Sequence, residues 1–402
     1  MTDEQKRLSQ RYIIYCFLLS FFMVEAIWLY FYRLYMNDAQ IGLLDAVAFS
    51  VGLLVEVPSG ALADKIGRAR TMKIGVVLAS AGIGLQALGG FWLILIMQAM
   101  LMAGFALMSG ADEALFFEKL KFSRDSTQWR QLIMRSVQAM AIAGFVAIPL
   151  GSWLYGVSPQ LPFILCGLFF LLALIPIWHL QDEKSSKQKV KLITSFRDYG
   201  KDIASGFRAF AQLKLRLYVP LILTVWGSLY VFNWGLLKMI LMDRFGFSET
   251  FGGIVLGSAS LLMLIALQLV HKYSNKLHEK HVLSVLSLVV ASSFILSVLH
   301  LPLGISVAII ISLYLADGIS RPFLSEILHN HTTDRQRATV VSVGNFFKEA
   351  PYVILAPLIG WLNTIGRLDI FLLIWPVLIV LAWSYYFVKK KHDEVVTVDF
   401  AA

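Results

Sequence analysis

Charge, cysteine and catalytic motifs are all scarce in this chain of 402 residues, and each scarcity removes a class of protein. Charged residues make up 15% of it, hydrophobic residues 58%, and the mean hydropathy is +0.70. Soluble globular chains carry about 25% charged and about 45–50% apolar residues, so an ordinary water-soluble domain is excluded. The only two cysteines, Cys16 and Cys166, both fall inside apolar blocks. There a cysteine serves as a small buried hydrophobe, and neither a disulfide nor a metal site is expected. No glycine-rich phosphate loop, His/Cys metal spacing or nucleophile elbow is present, so no enzyme, metal or cofactor is expected. A cleavable leader is not expected either: residues 1–11 are polar, and the first apolar block outruns the core of a signal peptide.

What is present is apolar sequence in blocks of roughly 20 residues, the length at which a helix crosses a ~30 Å hydrocarbon core. Backbone groups in lipid must be satisfied within the segment, so such blocks read as helices. Twelve spans are predicted, over 12–36, 41–62, 72–89, 91–115, 133–156, 161–180, 215–241, 250–271, 281–300, 302–326, 339–362 and 368–388. Of the 35 Lys and Arg residues, Arg33, Arg244 and Arg367 lie in connections on one side, and Lys238, Arg321 and Lys348 lie inside spans. All the rest fall in the N-terminus, the C-terminus and the alternate connections, or, as Lys73, Arg135 and Arg216 do, within the first three residues of a span that such a connection opens. Positively charged loops stay cytoplasmic, which places both termini inside. The net charge of +9 is thus an orientation signal, and no nucleic-acid partner is expected. The expected setting is a bacterial inner (plasma) membrane, crossed many times.

The two halves echo each other. Ala111-Asp112 opens a stretch that ends Pro149-Leu150-Gly151-Ser152-Trp153-Leu154, and Ala316-Asp317 opens one that ends Pro357-Leu358-Ile359-Gly360-Trp361-Leu362. Between them Ser136-Val137 corresponds to Ser342-Val343 at a nearly constant offset. A duplicated six-helix unit follows: residues 1–180, a cytoplasmic linker over 181–214, and residues 215–402. The fold class expected is all-α, with twelve transmembrane helices in two six-helix repeats. In the linker Ile193, Phe196, Ile203, Phe207 and Phe210 recur at helical spacing among Lys191, Arg197, Lys201 and Arg208, the pattern of a basic amphipathic helix on the lipid surface.

Between the second and third spans lies Gly60-Ala-Leu-Ala-Asp64-Lys65-Ile-Gly67-Arg68-Ala-Arg70. Gly67 suits a tight reversal needing positive φ, Asp64 suits the positive end of a helix, and Arg68 suits an acid at the end of span four: Asp112, Glu113 or Glu118. This run, in this loop of a six-plus-six chain, resembles the signature of the major facilitator superfamily. The likeness covers about residues 11–390 and is strongest to the bacterial twelve-helix drug/proton antiporters. It implies alternating access around a cavity between two halves, a gating role for the motif, a small-molecule substrate and a coupling proton (or sodium). A monomer in the lipid bilayer is expected. The counterpart loop, residues 271–280, keeps the charge but lacks the glycines and the aspartate. Two antiporter signatures are incomplete: around Gly104 stand Gln98 and Met100 where an arginine would be, and Gly144, Pro149 and Gly151 give a degenerate form of the span-five motif.

Ionisable residues inside spans are expensive, so each is a functional candidate. Glu25 stands near the middle of span one, with Phe21, Trp28 and Tyr32 on its helical face. An acid among aromatics suits a lipophilic or cationic substrate or a group that exchanges a proton. Glu56 in span two, and Asn233 and Trp234 in span seven, are further cavity candidates. Asp317 and Arg321, four apart, form a candidate ion pair. Lys348 and Glu349 are adjacent and point apart, each needing its own partner, and Lys238 is expected to snorkel to the surface. The functional expectation is proton-coupled efflux of a small amphipathic compound or drug; the alternatives are proton-coupled nutrient uptake or a transport-dead sensor.

Overall fold

The structure is a computed structural model that describes residues 2–109, 111–120, 127–182, 207–208, 210, 214–273, 279–330 and 337–399. Among these it contains helices and turns and no strand. Seven helices are long and apolar enough to cross a membrane: Asp38–Glu56, Arg68–Leu88, Phe91–Met108, Thr127–Val157, Glu249–Val270, Leu303–Leu328 and Leu368–Lys389. An eighth span arises if Val219–Trp234 and Leu236–Arg244 are joined across a bend of 72°. Leu161–Ile177 and His281–Leu296 are apolar but shorter.

The chain divides into two compact units. The first comprises Met1–Asn37, Leu43–Tyr199 and Phe247–Ile265, and the second Asp38–Gly42, Gly200–Gly246 and Ala266–Ala402. The first turn of the Asp38–Ile66 helix therefore belongs with the second unit, and most of the Glu249–Tyr273 helix with the first.

Lipid offers no hydrophobic drive between helices, so close packing through small residues does the work. In the first unit Gly75 and Gly104 meet backbone to backbone between Arg68–Gly84 and Phe91–Met108. Gly82 lies against Leu101 in the same seam. Ser80 Oγ donates to Gly167 O at 2.7 Å, tying in the Leu161–Leu172 helix. Thr127–Val157 packs on the Glu249–Tyr273 helix where Gly253 meets Ser152 and Gly257 meets Pro149. In the second unit the Trp226 indole donates to Ser320 O at 3.1 Å and the Trp375 indole to Thr224 O at 2.9 Å. Arg244 pairs with Asp369 at 2.7 Å. The head of Asp38–Ile66 is held here: Asn363 Nδ2 donates to Asp38 Oδ2 at 2.5 Å, and Ala39 N to Thr364 Oγ1 at 3.0 Å.

Two spans expected to be continuous are broken. The first is helical over Asp3–Leu19 and again over Trp28–Tyr32, with only turns between. Irregular backbone at membrane depth is tolerated where protein buries it, and Met23, Val24, Ala26 and Ile27 are all at most 1% exposed. The Cys166 thiol donates toward Phe21 O at 3.7 Å. Gly151 lies flat against the Met23 carbonyl, where a Cβ would collide with backbone. Cys166 is therefore more than a space-filling hydrophobe. The seventh span contains a π-helical turn over Ile222–Trp226 and then breaks at Gly235, whose backbone is extended and whose missing Cβ leaves room for the Tyr352 ring.

Of the amphipathic linker helix, only Phe207, Arg208 and Phe210 lie among the described residues. Phe207 and Phe210 pack on Phe347, at 5.2 Å and 5.4 Å between ring centroids.

Gly151→Ala should lower the stability of the detergent-solubilised protein by about 1–3 kcal/mol, because the added methyl meets backbone that cannot rotate away. Gly156→Ala, five residues on where nothing lies within 4 Å, should be neutral or stabilising by up to about 1 kcal/mol. Thermal unfolding of the pair checks this directly.

Candidate functional site

The break in span one decides how its residues stand. Because the helix stops at Leu19, Phe21, Glu25, Trp28 and Tyr32 do not share one helical face as periodicity implies. Phe21 stacks on Phe169 at 4.1 Å instead. Glu25 is half-buried inside the unwound segment. Trp28 begins the next helix and meets Tyr32 edge-on at 5.3 Å. Tyr32 is 2% exposed and its hydroxyl donates to Gln86 Oε1 at 2.6 Å. The Gln86 amide donates to Gly82 O at 2.9 Å and to Gln98 Oε1 at 3.0 Å. The backbone carbonyl of Gly82 thus fixes the polarity of the chain Tyr32–Gln86–Gln98. Gln98 stands near the place where the antiporters carry arginine, so the neutral residue there is part of a neutral network. Glu56 is exposed on the Asp38–Ile66 helix, and its carbonyl accepts from Ser59 Oγ at 2.7 Å.

The loop motif turns at Gly67, whose φ of 99° is one an L-residue rarely adopts. Arg68 pairs with Glu118 at 2.9 Å, which selects one of the three acids weighed for it. Asp112 is half-buried on the same Ala111–Leu120 helix. The side chains of Gly60, Asp64, Lys65 and Glu113 lie outside the described ones. Periodicity gave no warning of Asp182. Its carboxylate accepts from Ala69 N at 2.7 Å and lies against Gly67, at the positive end of the Arg68–Gly84 helix. Lys73 complements it, donating to Trp178 O at 2.7 Å and Leu180 O at 2.9 Å, the open carbonyls just past the Leu174–Ile177 helix.

In the second unit the Gly235 break gathers polar groups. Asn233 uses both ends: its Nδ2 donates to Asp317 Oδ2 at 2.8 Å, and its carbonyl accepts from Lys238 Nζ at 2.8 Å. Lys238 is 1% exposed, so it does not snorkel. The carbonyl freed by the break supplies a polar partner that periodicity could not show. Arg321 Nη2 donates to the same Asp317 oxygen at 2.6 Å. Lys348 and Glu349 pair with each other at 3.1 Å: their long side chains bend across one peptide, correcting the expectation of separate partners. The Lys348 ammonium lies 5.4 Å from the centroid of Tyr230, whose ring meets Trp234 and Tyr352. Trp234 is 49% exposed. Among the described residues no group of His, Cys, Asp and Glu is placed to hold a metal.

The pattern of the Major Facilitator Superfamily matches residues 12–354. This chain belongs to that superfamily. No curated protein matches it significantly by sequence. Solved structures that it resembles include the nucleoside transporter NupG (12% identity, 96% of this chain and 98% of that one, TM-score 0.73). A POT family transporter in complex with a thioalcohol-conjugated peptide is similar too (11%, 98% and 96%, 0.73). So is a bacterial homolog of the human lysosomal transporter Spinster, inward-facing and unoccupied (15%, 96% and 95%, 0.64). At such identities the likeness is one of fold. The protein is a multi-pass membrane transporter of the major facilitator type, and these findings point away from an enzyme.

Replacing the Cys166 thiol tests whether it holds the break. Cys166→Ala removes the thiol donor from the Phe21 carbonyl, a loss of about 1 kcal/mol. Hydrogen exchange across residues 20–28 should then rise about fivefold, while Cys166→Ser restores protection. Faster exchange spread evenly over the whole first unit would reduce the thiol to ordinary packing.

Proposed function

We propose that this transporter exports a small amphipathic compound in exchange for protons, by alternating access, as a twelve-span monomer with both termini in the cytoplasm of a bacterial cell. In this reading the bodies are residues 1–180 and 215–402, joined by 181–214. The observation that carries it is the setting of Glu25. An acid in an unwound, buried stretch of a membrane helix is costly to keep for structure alone, and broken helices are where transporters of several folds place substrate and coupling ion. Trp28 supplies aromatic surface beside it, backed by the buried Tyr32 ring, with Glu56, Asn233 and Trp234 as further contacts. The turn of Gly60, Asp64, Lys65, Gly67 and Arg68, with Glu118 and its neighbours Asp112 and Glu113, serves gating.

A second reading, proton-coupled uptake, is favoured by one observation. Gln98 and the neutral Tyr32–Gln86–Gln98 chain occupy the region where drug antiporters carry a cation, which weakens the case for that kind of antiport. Sodium in place of the proton fits either reading.

Proton movement in energised inverted vesicles tests the proposal. Lipophilic cations, antibiotics and metabolites are added while a pH-sensitive dye is followed, in wild type and Glu25→Gln. Export predicts a substrate-induced proton leak in wild type that falls at least about tenfold in the variant, the effect of removing a required proton carrier. A leak unchanged in Glu25→Gln moves the coupling site elsewhere. Silence across the panel from folded, inserted protein counts against export and favours uptake or sensing.

A further inference from the structure

We propose that Arg321 anchors a carboxylate on the transported compound, an assignment that rests on the transporter reading above and names its substrate class. The placement of the guanidinium comes first. Arg321 lies nine residues from the Asn330 end of the Leu303–Asn330 helix, about 13 Å along its axis. Its side chain is nonetheless 51% exposed. An arginine at such depth does not face lipid. On its helical face Asp317, Leu324 and Leu328 are each at most 4% exposed, while Tyr314 and Gly318 are half-buried; the guanidinium thus stands at the edge of a buried face, where we place it in contact with water.

The donors come next. A guanidinium offers five N–H groups in a flat fork. Among the described residues one partner takes them, Asp317 Oδ2 at 2.6 Å. Asp317 is itself 4% exposed and held by Asn233, so it fixes one edge of the fork and leaves the other open. A carboxylate is the ligand whose two oxygens match such an edge.

The test uses the full chain in its membranes. Phenylglyoxal, an arginine-selective dicarbonyl, is applied, and modification is mapped by peptide mass spectrometry. Benzoate and its neutral isostere benzamide are the probes, and Arg68, in the exposed turn, is the internal reference. Arg321 should be modified, and benzoate at ten times its half-protecting concentration should slow that modification about tenfold, while benzamide leaves it unchanged. The signal should be absent in Arg321→Lys. If Arg68 reacts and Arg321 does not, the guanidinium is out of water and the proposal falls. It also falls if benzoate fails to protect at any concentration the membranes tolerate, or if benzamide protects equally. None of these readouts depends on proton coupling, so a failed dye assay and a failed anchor are distinguishable.

Discussion

A backbone carbonyl or amide left open in hydrocarbon costs several kcal/mol, and among the described residues this chain opens its helical ladder at residues 20–27 and at Gly235. Both breaks persist because side chains do the work of the missing hydrogen bonds. At the first, a neutral thiol from another helix meets the Phe21 carbonyl, and Gly151 lets a third helix lie against the peptide plane. At the second, a buried ammonium three residues beyond the gap turns back onto the open carbonyl of Asn233, and a tyrosine ring fills the space beside the glycine. Each break in turn sets a charged group: Glu25 at one, the Asn233–Asp317–Arg321 chain at the other.

That dependence explains which parts of the molecule could be read in advance. The membrane class follows from composition and the length of apolar blocks, because lipid imposes one solution on any chain that crosses it. The acid partner of Arg68 was narrowed to three by helical spacing, since the turn and the Ala111–Leu120 helix are each local. The breaks are another matter. Residues 20–27 contain no glycine or proline, so nothing local stops the helix. The contacts that meet the open segment come from Cys166 and Gly151, more than a hundred residues away in sequence. Gly235 is at least a glycine, but its role depends on Tyr352. Lys238 was misread for the same reason: a snorkelling lysine and one that caps a broken helix differ only in whether an open carbonyl lies within reach.

The loop motif shows the same logic in water-exposed structure. Asp182 was invisible to periodicity because it lies just past a helix end, where the sequence carries no repeat. Yet it supplies the acceptor for the first turn of the Arg68–Gly84 helix, beside a glycine in a left-handed conformation. Lys73 returns the favour from inside that helix, donating to the carbonyls of Trp178 and Leu180. A helix start and a helix end are thus fastened crosswise, each charge facing the pole of opposite sign.

In the six-plus-six reading proposed above, spans one and seven correspond, and both are broken, so on that reading the break belongs to the architecture. The chemistry that holds it does not. One half uses a neutral sulfur and keeps an acid, and the other uses an ammonium beside an arginine–aspartate pair. A duplicated scaffold that keeps its irregular backbone while exchanging the charges around it has separated two requirements. The bend is needed for the helices to pack, whereas the charges are free to diverge with what each half must hold. On that argument the two broken helices share a shape for structural reasons and differ in polarity for functional ones.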